Sequence, residues 1–226
     1  LVTGIATAYL DSVPMVAITG NVSNDLIGRD SFQEVDITGI TMPITKHNFF
    51  VNKVSKLADT LREAFKLAKS GRPGPVLVDI PKDVQVALYD YEPEAVVEPM
   101  PKIPPKAHKI ESAIKFINEA KKPYIYCGGG TISAGASEEV KALAEKIDAV
   151  IGCSLMGISA IENSNERFLG MQGMHGHYAS SMAQHNADLI ITVGARFSDR
   201  ATGNKAKYAP GAKIIHIDTD KAEIDK

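Results

Sequence analysis

Cysteine is scarce in this chain, with two among 226 residues. Cys127 and Cys153 each close an apolar run, and neither belongs to a pair with metal-ligand spacing. That excludes a zinc ribbon or a disulfide-framed scaffold and favours buried, reduced thiols in a cytoplasmic protein over a disulfide. Charge of one sign is also lacking: 25 Lys and Arg against 27 Asp and Glu leave a net charge of −2. No nucleic-acid or anionic-membrane surface is expected from such a balance. No run of eighteen apolar residues appears, so no membrane-spanning helix is expected. The opening "LVTGIATAYLDS" has no basic stretch before an apolar one and does not read as a secretory signal. It starts in mid-pattern without an initiator Met, as a processed or truncated piece would. No internal repeat and no low-complexity tract is present.

What is present is alternation. Apolar residues make up 44% of the chain and charged residues 23%, enough for a sizeable core in one large or two modest domains. "PMVAITG" (14–20) and "PVLVDIP" (75–81) are short, branched-rich apolar runs, the form of buried parallel strands. Between them "KVSKLADTLREAFKLAKSG" (53–71) puts Val54, Leu57, Leu61, Ala64, Phe65 and Ala68 on one helical face, with Gly71 ending the helix. Residues 91–106 carry five prolines and no period, so they read as a linker between a domain over 1–90 and a second over 107–226.

Beyond it the pattern resumes. A helix is expected near 109–121, with Ile110, Ala113, Ile114 and Ile117 at helical spacing. "PYIYCGGG" (123–130) is a strand entering a glycine turn. A helix over 137–147 has Ser137 as its N-cap and two glutamates in its first turn. A strand near 149–153, a helix near 177–186, and strands over 188–194 and 212–218 follow. Strands alternating with helices predict an α/β fold of parallel sheets flanked by helices, with a Rossmann-like second domain.

In such sheets ligands bind at the carboxyl ends of the strands, and four of these ends carry unusual residues. Gly128, Gly129 and Gly130 let backbone approach a ligand and leave amide groups for phosphate, or else form a plain tight turn. A dinucleotide fingerprint starting at Gly128 would need glycine where Ser133 stands. Ser154, Leu155 and Met156 follow the next strand. Gly194, Arg196, Ser198, Asp199 and Arg200 follow "DLIITV". Two guanidiniums within five residues suit phosphate or carboxylate, which they grip bidentately, the alternative being a surface ion pair with Asp199. Asp218 and Thr219 end the last strand, where a carboxylate accepts from a ribose hydroxyl or caps a following helix. "GMQGMHGH" (170–177) reads as a loop shaped around a flat ligand, the alternative being a plain connecting loop. His175 and His177 lack the Asp, Glu or Cys company that a metal site needs. In the first half, Phe32 and Gln33 lie in a polar loop after a strand, with Arg72 before a strand and Lys82 after it.

Together the stretches "ATAYLDSVPMVAITGNV", "DSFQEVDITGITMPITKHN", "SGRPGPVLVDIPKDVQ", "GGG", "SLMG", "GMHG", "VGARFSDRATG" and "IIHIDTDKAEI" resemble the acetolactate synthase (acetohydroxyacid synthase) large catalytic subunit family, in family order. The resemblance implies a thiamine diphosphate enzyme with Mg²⁺ and FAD. It condenses two pyruvates, or pyruvate and 2-oxobutanoate, to acetohydroxyacids with loss of CO2, in branched-chain amino-acid biosynthesis. It implies that 1–90 is the C-terminal part of a pyrimidine-binding domain and 107–226 most of a central FAD-binding domain. The glutamate that activates thiamine would lie before Leu1, and the G-D-G diphosphate domain beyond Lys226. The piece alone is therefore expected to be inactive.

By position, Arg200 matches the reader of the second 2-oxoacid's carboxylate, and Phe32, Gln33 and Lys82 match the thiamine and substrate channel. Arg72, Gly129, Ser154, Leu155, Gln172, Gly173, Met174, His175, Gly194, Arg196, Ser198, Asp218 and Thr219 match flavin-contacting positions. Ser198 departs from the family's usual Asp, which puts a contact through that side chain in doubt, and Ser23 stands where many members have Pro. A homodimer or homotetramer and a regulatory small subunit are the implied protein partners. Two rivals are a flavin-free or oxidative relative within the thiamine superfamily, and a nucleotide-binding module without catalysis.

Overall fold

The apolar runs become strands and the amphipathic stretches between them become helices. A computed structural model describes residues 1–93 and 104–224 and divides the chain into two units, Leu1–Lys102 and Ile103–Lys226. Most of the expected linker over 91–106 lies outside the described residues.

The first unit runs α1 (Val2–Leu10), β1 (Met15–Asn21), α2 (Ile37–Thr41), β2 (His47–Phe50), α3 (Leu57–Lys69), β3 (Pro75–Pro81) and α4 (Lys82–Val86). Its three strands are parallel, in the order β1-β3-β2. All seven residues of β3 are buried, as a central strand covered on both faces requires. Val76, Val78 and Ile80 pack with Ala64 and Ala68 of α3, and Leu77 packs with Ile5 of α1. The alternation follows from the two-residue period of a strand. Asp79, also buried, is satisfied by Thr19 Oγ1 at 2.8 Å and Asn21 Nδ2 at 2.7 Å, both donating to its carboxylate.

The second unit runs α5 (Ala107–Glu119), β4 (Pro123–Cys127), α6 (Gly129–Ser133), α7 (Ser137–Ile147), β5 (Val150–Cys153), β6 (Phe168–Met171), α8 (Tyr178–His185), β7 (Leu189–Val193), α9 (Asp199–Thr202) and β8 (Lys213–Ile217). Five parallel strands lie in the order β6-β5-β4-β7-β8. The chain starts in the middle, moves outward twice, and returns to the other side of β4, which makes β4/β7 the point where strand order reverses. One sheet face packs Ile125, Cys127, Ile151, Cys153, Leu189 and Ile191 against Val140 and Ala144 of α7. The other packs Tyr124, Tyr126 and Ile190 against Ala183 of α8, Phe197 and Tyr208.

Several expectations are corrected. Ala136, not Ser137, is the N-cap of α7, and no side-chain capping bond forms there. Phe65 is more than half exposed, although its spacing put it on the buried face of α3, and Ile110 and Ile114 of α5 are likewise half exposed. Periodicity defines a stripe broader than the contact each helix makes within its own unit. Strands β2 and β6 escape a pattern reading because "HNFF" and "FLGM" are four residues long. In β6 the glycine at 170 also has φ +83° and the register against β5 shifts.

The centre of the second sheet depends on glycine. A Cβ on Gly128 would stand 2.0 Å from Gly194 O and 2.5 Å from Ala195 Cα. Gly128→Ala is therefore expected to cost about 3 kcal/mol in urea denaturation, because backbone cannot yield as a side-chain tip does. Gly135→Ala is the control. Its φ is +66° but its surroundings are open, so about 1 kcal/mol of left-handed strain is the expected cost.

Candidate functional site at the carboxyl edges

Each strand of the second unit ends in a short turn, and backbone bonds stitch these turns to one another. Gly128 N–H donates to Val193 O at 2.9 Å and Gly130 N–H to Gly194 O at 3.0 Å. Gly194 N–H donates to Ile217 O at 2.8 Å, Ser154 N–H to Cys127 O at 2.9 Å, and Gln172 N–H to Cys153 O at 3.0 Å. One continuous rim results, running Gln172, Ser154, Gly128, Gly194, Asp218 in strand order. Two of the three amides read as open to phosphate are thus committed to the neighbouring turn. The glycines serve close packing: Gly194, with φ +56°, would bring a Cβ within 2.5 Å of Gly130 Cα.

On this rim the predicted residues fall into place as follows. Gly129 lies against Met156, whose Cβ is 3.2 Å from where a Cβ on that glycine would be. Ser154 caps the turn Leu155–Gly157, its Oγ accepting from Gly157 N–H at 3.1 Å. Leu155, Met156, Ile158, Met174 and Ile217 leave apolar side chains exposed along the same edge. Arg196 is exposed. Ser198 is the N-cap of α9 and makes no side-chain capping bond. Arg200 Nε is 3.9 Å from Asp199 Oδ2, with side chains 70% and 85% exposed. The surface ion pair considered as an alternative role for this arginine is therefore long and solvated, worth little.

Asp218 does not cap a helix, since turns follow it. Its Oδ1 accepts from Asp220 N–H at 2.8 Å, and its Oδ2 is 3.8 Å from His216 Nε2. Thr219 is exposed beside it. Beneath the rim, Gln172 is buried and donates through Nε2 to Tyr208 OH at 3.1 Å. Tyr208 and Phe197, whose rings meet edge to face 5.7 Å apart, are supports that the sequence did not signal, because each is a lone aromatic in a polar stretch. His175 and His177 are both exposed, and the His177 ring lies over Gly170. Among the described residues no cluster of three or more His, Cys, Asp or Glu could hold a metal. Cys127 and Cys153 are free, buried and side by side in register. Burial pushes their thiols up to about 12 and about 11, so they stay protonated and inert near neutral pH.

In the first unit the predicted residues separate. Arg72 precedes β3, where its Nε donates to Ser12 Oγ at 2.9 Å. Lys82 begins α4 at the other end of the same strand. Phe32 and Gln33 lie in the loop after β1, at the Lys82 end. Asn24 of that loop donates from N–H and Nδ2 to Asp83 at 3.0 and 2.8 Å. Phe32 is 86% exposed, and Gln33 adopts φ +60°, a conformation uncommon for a residue with a Cβ. Glu34 clasps the loop by accepting from the N–H groups of Gly28 and Ser31.

Comparison with known proteins matches residues 110–226 to the family described as thiamine pyrophosphate enzyme, central domain. Over its whole length the chain is 53% identical to the acetolactate synthase large subunit of Corynebacterium glutamicum, of which it covers 37%. It is 46% identical to the isozyme 3 large subunit of Escherichia coli, covering 40% of it. It is 49% identical to the probable large subunit of Methanocaldococcus jannaschii, covering 39% of it. The chain thus spans about two-fifths of the length of these curated relatives.

The Glu34 clasp yields a pH test. The backbone N–H groups of Gly28 and Ser31 hold the Glu34 carboxyl below its ordinary 4.5. A depressed carboxyl stabilises above its ordinary value and loses that contribution as the pH falls through the depressed one. Amide protection factors at Gly28 and Ser31, taken against the intrinsic exchange rate at each pH, are expected to be high at neutral pH and to fall on acidification through the depressed Glu34 value. Glu34→Gln should give the low protection factors at every pH.

Proposed function

Because the chain belongs to the thiamine pyrophosphate enzyme family, whose central domain it carries over residues 110–226, we propose that it is part of an acetolactate synthase large subunit. In the reaction, two pyruvates give 2-acetolactate and CO2, or pyruvate and 2-oxobutanoate give the higher homologue, on the route to branched-chain amino acids. The observation that carries this reading is the rim of the second unit, where every strand end bears a residue of the matched pattern. Exposed Leu155, Met156 and Met174 offer an apolar bed for a flat ring system, and Arg196 a guanidinium for phosphate. This donor set fits FAD.

In this reading residues 1–90 are the C-terminal part of the pyrimidine-binding domain and 107–226 the FAD-binding central domain. Gly129, Ser154, Leu155, Gln172, Gly173, Met174, His175, Gly194, Arg196, Ser198, Asp218 and Thr219 form the flavin cradle, and Arg72 matches a further flavin-contacting position of the family by sequence. Arg200 binds the carboxylate of the second 2-oxoacid, the feature that distinguishes it from an aldehyde. Phe32, Gln33 and Lys82 line the passage to thiamine. Thiamine diphosphate, when bound, supplies the electron sink for decarboxylation. No step is assigned to Mg²⁺ among these residues. The holoenzyme is read as a homodimer or homotetramer with a regulatory small subunit, located in the cytoplasm. Supporting that location, Cys127 and Cys153 are free thiols, and no helix among the described residues is long and apolar enough to cross a membrane.

The test is a titration of the enzyme containing this segment with FAD, followed by flavin fluorescence and co-elution on gel filtration. Saturable binding is expected, and Arg196→Ala should weaken it by about tenfold, the value of one charge-assisted contact. Absence of saturable binding to the wild type would contradict the flavin reading.

A further inference from the structure

The loop after β6 is fastened to Arg200 at three points. Arg200 Nη1 lies 3.3 Å from Met174 Sδ. Met174 N–H donates to Arg200 O at 3.0 Å. Gly173 has φ +100°, and a Cβ there would stand 2.5 Å from Arg200 O and 3.2 Å from Ala201 Cα. The base of the loop is closed by His177 N–H donating to Met171 O at 2.7 Å and by Gln172 N–H donating to Cys153 O at 3.0 Å. Met174 therefore stands on a short, anchored loop whose glycine permits flush contact with α9.

The chemistry of that contact matters. A thioether sulfur is a weak, polarisable and uncharged acceptor. It orients a guanidinium without cancelling its charge, whereas a carboxylate in the same place would leave little attraction for an incoming anion. The only carboxylate within reach of Arg200 among the described residues is Asp199, at 3.9 Å and largely in solvent, where screening is strong.

We propose that Met174 is the positioning residue for Arg200: its sulfur sets the guanidinium toward the carboxylate of the second 2-oxoacid, and Gly173 is the residue that lets the loop come close enough to do so. The inference rests on the reading of Arg200 as the carboxylate-recognising residue.

The test uses the full-length enzyme with thiamine diphosphate, Mg²⁺ and FAD, and pyruvate as the donor. Its acceptor is either 2-oxobutanoate or benzaldehyde, which lacks a carboxylate. The quantity read is the ratio of kcat/KM for the two acceptors, with FAD affinity measured separately. For Met174→Leu, assayed at saturating FAD because Met174 also lines the flavin cradle, the ratio is expected to fall about five- to tenfold. Met174→Gln, which offers an amide oxygen at similar reach, should restore the ratio. In an Arg200→Lys background Met174→Leu should have no further effect. An equal fall for both acceptors, or an unchanged ratio in Met174→Leu, overturns the proposal. A wild-type enzyme that forms no acetolactate would instead refute the reading of Arg200 beneath it, and the proposal with it.

Discussion

Gly128, Gly130 and Gly194 meet backbone to backbone across the two central strands of the second unit, and the arrangement of the rim depends on that contact. The N–H groups of Gly128 and Gly130 donate to Val193 O and Gly194 O at 2.9 and 3.0 Å, so two turns that would otherwise splay apart lie flush. Thr131 adds a hydroxyl bond to Val193 O at 2.8 Å, tying the start of α6 to the end of β7. No residue with a Cβ fits at either glycine of the first turn without moving the second. Because β4 and β7 flank the point where strand order reverses, this is where an open parallel sheet presents its crevice. The glycines therefore act as scaffold: they hold Ser154, Arg196 and Asp218 on one edge rather than offering their own amides to a ligand.

A division of labour follows along that edge. The buried layer is neutral: Tyr124 OH pairs with Ser180 Oγ at 2.9 Å and Gln172 Nε2 with Tyr208 OH at 3.1 Å, while Gln172 Oε1 and Thr192 Oγ1 are buried without a partner. Burial raises the tyrosine hydroxyls and both thiols, so none of them carries charge or nucleophilic character near neutral pH. The outward layer holds the charge and the loose apolar surface, in Arg196, Arg200, Leu155, Met156 and Met174. Ground that is rigid, neutral and hydrogen-bonded beneath exposed cations and thioethers suits binding and orientation of an anionic, partly flat cofactor. It does not suit acid–base chemistry by the protein itself.

Much of this was legible in the sequence because the central strands β3, β4 and β7 are buried along nearly their whole length. "PVLVDIP" and "DLIITV" are continuous apolar runs, and a strand covered on both faces admits little else. The residues after "DLIITV" stood out because two guanidiniums at a strand end have few purely structural uses. Other features were not legible. The strand Phe168–Met171 is four residues long and contains a left-handed glycine, so no period marks it. That Gly128 and Gly130 amides are spent on the neighbouring turn depends on which strand lies beside β4, a long-range fact no local pattern carries. The contact between Met174 and Arg200 joins residues 26 apart in sequence and is visible only when the loop is seen against α9. The family resemblance named both residues as functional without saying that they touch.

The carboxyl-edge rim of the second unit is the proposed FAD site. Hydrogen exchange on the full-length enzyme, with and without FAD, tests it most directly. The account predicts that residues 154–157, 172–176, 194–200 and 218–220 gain protection together on adding FAD, while the segment 121–123 and residues 186–188, at the amino ends of β4 and β7, remain unchanged. Protection gained at those amino ends, or FAD binding that leaves the rim unchanged, would contradict it.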